Sequence, residues 1–304
     1  MEYHSDCTHF LCYNYPMQKA SADFSQFVAL DCDRIAFIQD YLYKRDIDSV
    51  IMPVDGKNHI YVKFPSSQYN PLFKIKTVLA HYDRFPGSPG ANDNSAAVFS
   101  LLEWAVRLSK VQDFHNIRLV FTDGEELYEQ GISSQGAYSL AQLFKKLSIV
   151  DDDIFVFDSI GRGTIPVICE SNFPELVSPS FIKKYEALEN KAVRILKSAG
   201  GKWFKLPAGF SDNAGFLANG IPAVAITMLP SSEIELYNRK LMETKITNFD
   251  IIRNSEELQP FIPETWKMFH TLEDNIENLD ERSFLVMEKI LDNLRVLKSV
   301  AERK

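Results

Sequence analysis

The chain has 304 residues, with 33 Lys+Arg against 41 Asp+Glu, a formal charge of −8. Its 45% hydrophobic content is enough for a large core and excludes global disorder. The acid excess argues against a nucleic-acid partner, since phosphate binding needs a basic surface, and no apolar run approaches the roughly 18 residues of a membrane span.

In chain order, residues 23–45 have helical spacing, with Phe27, Leu30, Ile35, Ile38 and Leu42 toward one side. Two β-like runs, 49–54 and 59–64, flank Asp55-Gly56-Lys57-Asn58, a hairpin turn. Strands and helices then alternate: strand 74–80, helix 95–110, strand 116–123, helix 136–147, strand 153–158, helix 180–199 and strand 221–227. An amphipathic helix over 280–304 closes the chain, its stripe formed by Phe284, Met287, Ile290, Leu291, Leu294 and Leu297. This order predicts an α/β fold: a single three-layer α/β/α domain over 1–304 with a mixed, mostly parallel central sheet. The stretch 229–266, with Pro230, Pro260 and Pro263, reads as irregular and polar, either a surface insertion or a lid.

Ligands of open α/β sheets bind beyond the carboxyl ends of the strands, so the residues that follow each strand matter most. After 74–80 comes His81-Tyr82-Asp83, after 116–121 comes Thr122-Asp123-Gly124-Glu125-Glu126, and after 153–157 comes Asp158. Asp93 lies at the start of the next helix, and His270 follows the long insertion. Taken singly, each has an ordinary reading. Asp93 is then a helix N-terminal charge, Asp158 a turn residue and Glu125-Glu126 a solvated loop. Together, two imidazoles and several carboxylates suit a divalent ion such as zinc. The doublet can divide the work, one carboxylate holding metal while the other acts as general base. Asp83 is close enough in sequence to accept the second N–H of His81.

The motifs AHYD (80–83), PGANDN (89–94), FTDGEE (121–126), FDSIG (157–161), FSDNAGF…GIPAVAI (210–226) and FHTLEDNIENLD (269–280) occur in that order. In them the chain resembles the co-catalytic zinc aminopeptidases, relatives of bacterial leucyl aminopeptidases, glutamate carboxypeptidase and animal-type glutaminyl cyclases, over about residues 74–300. The resemblance implies a zinc-exopeptidase-like fold and two zinc ions per chain. Asp93 would bridge them, His81 and Asp158 would complete one shell, and Glu126 and His270 the other. It further implies Glu125 as general base, Asp83 as the group orienting His81, and a cis peptide after Asp93.

The function implied is an exopeptidase acting on peptides with a free N-terminus, through a water activated by two zinc ions and Glu125. Phe85, Tyr128, Phe210 and Phe269 flank the motifs as candidates for an apolar substrate pocket. The alternative is a glutaminyl-peptide cyclotransferase using one zinc, whose relatives also carry an acid where Asp212 stands. Phe269 stands where those cyclases have Trp, and PGANDNSAA (89–97) looks more like the hydrolases. A non-enzymatic relative that has lost its metals is disfavoured because every ligand position is filled.

No nucleic-acid or membrane partner is expected. The four cysteines (Cys7, Cys12, Cys32, Cys169) are too sparse for a disulfide scaffold, and the N-terminus lacks the pattern of a signal peptide. They read as reduced thiols of a cytoplasmic protein.

Overall fold

The structure, a computed structural model, describes residues 21–127 and 131–301. Tyr128, Cys7, Cys12 and the last three residues of the expected C-terminal helix lie outside them. Eight strands form one sheet in the order β1-β2-β4-β3-β5-β8-β6-β7. They are β1 (Ser49–Val54), β2 (Lys57–Val62), β3 (Lys76–His81), β4 (Ile117–Thr122), β5 (Asp153–Phe157), β6 (Ile165–Cys169), β7 (Phe204–Leu206) and β8 (Ala223–Leu229). The central run β4-β3-β5-β8 is parallel, as is the edge pair β6–β7, while β1–β2, β2–β4 and β6–β8 pair antiparallel. The mixed, mostly parallel sheet expected from the sequence is therefore present.

The predicted helix 23–45 is two helices, α1 (Ala22–Val28) and α2 (Arg34–Tyr43). The break occurs because Asp33 caps α2, its carboxylate accepting the Ala36 N–H at 3.0 Å. Leu30, placed on the apolar stripe by spacing alone, falls in the connection and is 57% exposed. The hairpin turn is tighter than expected: Val54 pairs with Lys57, leaving Asp55 and Gly56 at φ 49° and 75°. Positive φ at both central residues is the geometry that matches strand twist.

The helices α3 (Ala96–Ser109), α5 (Pro179–Ser198) and α10 (Glu281–Val296) share one core with α1 and α2, built on Val78, Leu119, Phe155 and Val224 of the sheet. Helix α4 (Gly136–Lys146) and the short α6 (Asn213–Ala218) cover the other face, packing on Leu79, Val120, Ile154 and Ala223. Successive strand residues thus point to opposite faces, which is why these strands read as continuous apolar runs. Strand β3 is followed by α3 on one face and β4 by α4 on the other. The connection reverses across β3, the place where such sheets open a crevice.

Helix α10 stops at Val296 rather than running to the chain end, because Lys76 Nζ donates to the carbonyls of Arg295 and Leu297. The 229–266 stretch is not irregular. It holds α7 (Ser231–Thr244), α8 (Phe249–Asn254) and α9 (Glu264–Lys267). Ile234, Tyr237 and Leu241 of α7 form a narrow stripe packed on Val167, Leu206 and Leu229 at the sheet edge. Among the described residues, no helix is long and apolar enough to cross a membrane.

Candidate metal centre

Strands β3, β4 and β5 deliver their carboxyl ends to one rim. His81 is the last residue of β3 and fully buried, Glu125 and Glu126 follow β4, and Asp158 follows β5. Asp93 enters from an irregular turn over 91–95, and His270 from the segment after α9. His81 Nε2 is 3.2 Å from Asp93 Oδ1 and 3.7 Å from Asp158 Oδ1. On the other side, His270 Nε2 is 3.7 Å from Asp93 Oδ2 and 2.8 Å from Glu126 Oε2. Donor atoms of His81, Asp93 and Glu126 all lie within 4.8 Å of one another.

The Asp93 loop is stitched in place by its neighbours. Asn92 Oδ1 accepts the Gly161 N–H at 2.7 Å, and Asn94 Oδ1 accepts the Ser159 N–H at 3.1 Å. Asn94 also donates to the Phe157 carbonyl at 2.9 Å. Both asparagines of the ANDN motif therefore tie the Asp93 loop to the segment that carries Asp158. The Asp93–Asn94 peptide is cis. Asp83 faces His81 Nδ1 at 3.5 Å and accepts the backbone N–H groups of Glu125 and Glu126, at 3.3 and 3.1 Å. Gly90, at φ 60°, lets the turn close: a Cβ there would lie 2.6 Å from the Asp93 carbonyl oxygen.

The electrostatics of this cluster are unbalanced without a cation. Burial pushes Glu125 well above the usual carboxylate range, and Asp158, Asp212 and Asp93 add to that against the opposing His81. Asp93 is pushed to about 7 by burial and by Glu126. Burial would depress His81, but Asp158, Asp83 and Asp93 outweigh it and hold the imidazole well above 6.5. Among the described residues, both His81 ring nitrogens and both Glu126 carboxylate oxygens are buried and have at most ion-pair approaches to their neighbours, none with hydrogen-bond geometry. Orphaned buried imidazole nitrogens and carboxylate oxygens are costly unless something coordinates them. This donor set fits a divalent cation.

A cavity of about 300 Å³ opens onto Asp93, Glu125, Asp158 and His270, with Phe210, Phe249, Ile262, Trp266 and Phe269 on its walls. Phe210 and Phe269, both expected at a pocket, line it. Asp212 is fully buried and off the wall: Thr122 Oγ1 donates to it. Phe85 also leaves the pocket and stacks on the His270 ring, centroids 4.4 Å apart. Tyr128 lies outside the described residues.

Among the groups that sequence reading missed are three at the site. Gln135 Nε2 donates to Glu125 Oε1 at 3.1 Å, and Trp266 comes from the stretch read as irregular. Asp274 lies four residues beyond His270, and its carboxylate accepts the N–H groups of Asn92 and Asp93. Its place inside FHTLEDNIENLD was the available signal.

A segment of 72 residues, 24% of this chain and 15% of the relative, is 41% identical to aminopeptidase YwaD of Bacillus subtilis. The chain thus spans only a small part of that curated relative. The fold is similar to the zinc aminopeptidase BSAP from Bacillus subtilis, at 21% identity and TM-score 0.51, over 79% of this chain and 49% of that one. It is also similar to glutaminyl cyclase of Porphyromonas gingivalis, at 18% identity and TM-score 0.60, over 92% of this chain and 98% of that one. A family profile described as Peptidase family M28 matches residues 60–294, most of the chain and every residue of the cluster, and the protein belongs to that family.

Proposed function

We propose that the protein is a metal-dependent aminopeptidase, cleaving the first peptide bond of substrates with a free N-terminus and using two zinc ions per chain. The observation that carries this reading is the split of the Asp93 carboxylate between the two imidazoles, with Oδ1 toward His81, which Asp158 also approaches, and Oδ2 toward His270, which Glu126 also approaches. In it, His81 and Asp158 would hold one ion and His270 and Glu126 the other, with Asp93 placed to serve both. When bound, the ions supply Lewis acidity and an activated water.

The chain's own residues do the rest. Glu125 takes a proton from the attacking water and returns it to the leaving amine, a task suited to a carboxylate whose affinity for protons is raised by burial. Gln135 fixes one Glu125 oxygen. Asp83 faces Nδ1 of His81 and so directs Nε2 at Asp93. Phe210, Phe249, Ile262, Trp266 and Phe269 supply an apolar wall for the substrate's first side chain. We also place the protein in the cytoplasm, on the sparse cysteines of the sequence.

A second reading, glutaminyl cyclisation with one zinc, is supported by two observations. Asp212 is buried close enough to Glu125 to raise its pKa, and Trp266 brings an indole to the cavity three residues before Phe269. One measurement separates the two. The aminopeptidase should contain close to two zinc ions per chain by elemental analysis and hydrolyse aminoacyl-anilides until a chelator is added. One zinc with cyclisation of a glutaminyl-anilide would replace it with the cyclase.

A further inference from the structure

Helix α2 lies outside the stretch matched by the family profile, which starts at residue 60. Its first residue, Arg34, is nonetheless buried at the centre of the loop that carries Asp93. One arm of the guanidinium donates to the carbonyls of Tyr82, at 2.9 Å, and Asp83, at 3.4 Å. The other donates to the Pro89 carbonyl at 3.0 Å and to Ser95 Oγ at 2.8 Å. Ser95 in turn donates to the Gly90 carbonyl. A single rigid fork thus spans the chain from just after His81 to just after Asp93, with its guanidinium carbon 4.7 Å from the Phe27 ring centroid. The loop reciprocates: Arg84 donates to the carbonyls of Val28, Ala29 and Leu30 at the end of α1.

Asp274 grips the same loop at the Asp93 backbone itself. Its Oδ1 accepts the Asn92 N–H at 2.6 Å, its Oδ2 accepts the Asp93 N–H at 3.0 Å, and its own carbonyl accepts the Ala91 N–H at 3.1 Å. Ser88 Oγ donates to the Thr271 carbonyl at 3.0 Å, which ties the loop of Asp93 to the loop of His270. Arg34 and Asp274 therefore hold the Asp93 loop through its main-chain atoms and the Ser95 hydroxyl, and neither lines the cavity.

We propose that Arg34 and Asp274 are paired positioning residues that hold Asp93 between the two histidines, making α2 a working part of the metal centre. The inference rests on these residues holding metal and is indifferent to whether the chemistry is hydrolysis or cyclisation. An Asp274→Asn side chain turns one acceptor into a donor facing an N–H. An Arg34→Lys ammonium cannot span both carbonyl groups.

The test is zinc affinity of metal-stripped protein, by competition with a chelator of known affinity, beside the thermal midpoint of the same metal-free samples. Both single variants should bind zinc 10–100-fold more weakly, the loss typical of outer partners of metal ligands, while the metal-free midpoints stay near wild type. The double variant should lose less than the product of the two single effects, because both act on one loop. Folded variants that bind zinc within twofold of wild type would overturn the proposal, as would losses that only track a fallen metal-free midpoint. Arg34→Met serves if Arg34→Lys does not fold. Wild-type protein that takes up no zinc would sink the metal-centre reading itself, a result distinct from variants that bind normally.

Discussion

Glu125 and Glu126 are adjacent, and the structure gives them different surroundings. Glu125 opens on the cavity with its Oε1 held by Gln135, whereas Glu126 Oε2 lies 2.8 Å from His270 Nε2. Consecutive residues at a strand end point in different directions, so one can serve the metal while the other serves the proton. Glu125→Gln should therefore lower turnover by about 10²–10⁴-fold with zinc content unchanged, read by kinetics and elemental analysis on one preparation. Loss of zinc as well would mean that the two roles are exchanged. At this scale the sequence was most legible where chemistry needs side-chain donors. His81, Asp93, Glu126, Asp158 and His270, named from strand ends and motifs, do converge. Arg34 and Asn94 were not named, because they act on backbone groups and such contacts impose no recognisable spacing.

Between elements, close approach matters more than polarity. Helix α6 packs against α4 at Gly215, where a Cβ would lie 2.5 Å from the Tyr138 nitrogen and 2.7 Å from the Ala137 carbonyl carbon. Both obstacles are backbone, so the helices would have to part. Gly215→Ala should destabilise the fold by about 1–3 kcal/mol, seen as a lower urea midpoint at unchanged slope; an unaltered midpoint would show that the interface gives way freely. The strands and helices read correctly were those with long apolar runs or full stripes. Strands β6 and β7 were missed because the first contains Pro166 and the second has three residues. Helix α7 was missed because only Ile234, Tyr237 and Leu241 of its 14 residues are buried. Trp266, brought to the cavity by α9, shows the consequence: a stretch that looked irregular supplies part of the pocket wall.

For the whole molecule, two buried histidines couple stability to acid. The His115 ring is satisfied as the neutral form: Nδ1 accepts the Ile117 N–H at 2.9 Å, and Nε2 is 2.7 Å from Gln68 Oε1. Burial, with Lys76 and Arg295 nearby, lowers His115 to about 4, and burial with Lys57 does the same for His59. Between pH 6.5 and 4 the unfolded chain takes up protons that the native state refuses. Each histidine therefore contributes stability that is full above pH 6.5 and is lost as pH falls toward 4, on the order of 3 kcal/mol. The difference in urea midpoint between parent and His115→Gln should shrink over that window, since the variant lacks this term. A difference independent of pH would mean that His115 titrates normally.

By itself the sequence determined the parallel centre of the sheet, the rim on which the site lies, and the acids and imidazoles that meet there. Those properties follow from hydrophobic period and from what a divalent cation accepts as ligands, both written in residue type. Only the tertiary structure decided which carboxylate oxygen faces which histidine, that 229–266 folds as helices to wall the cavity, and that α2 reaches across to grip the Asp93 loop. These depend on long-range packing and on hydrogen bonds to main-chain atoms, which every residue carries alike and which leave no mark in residue type.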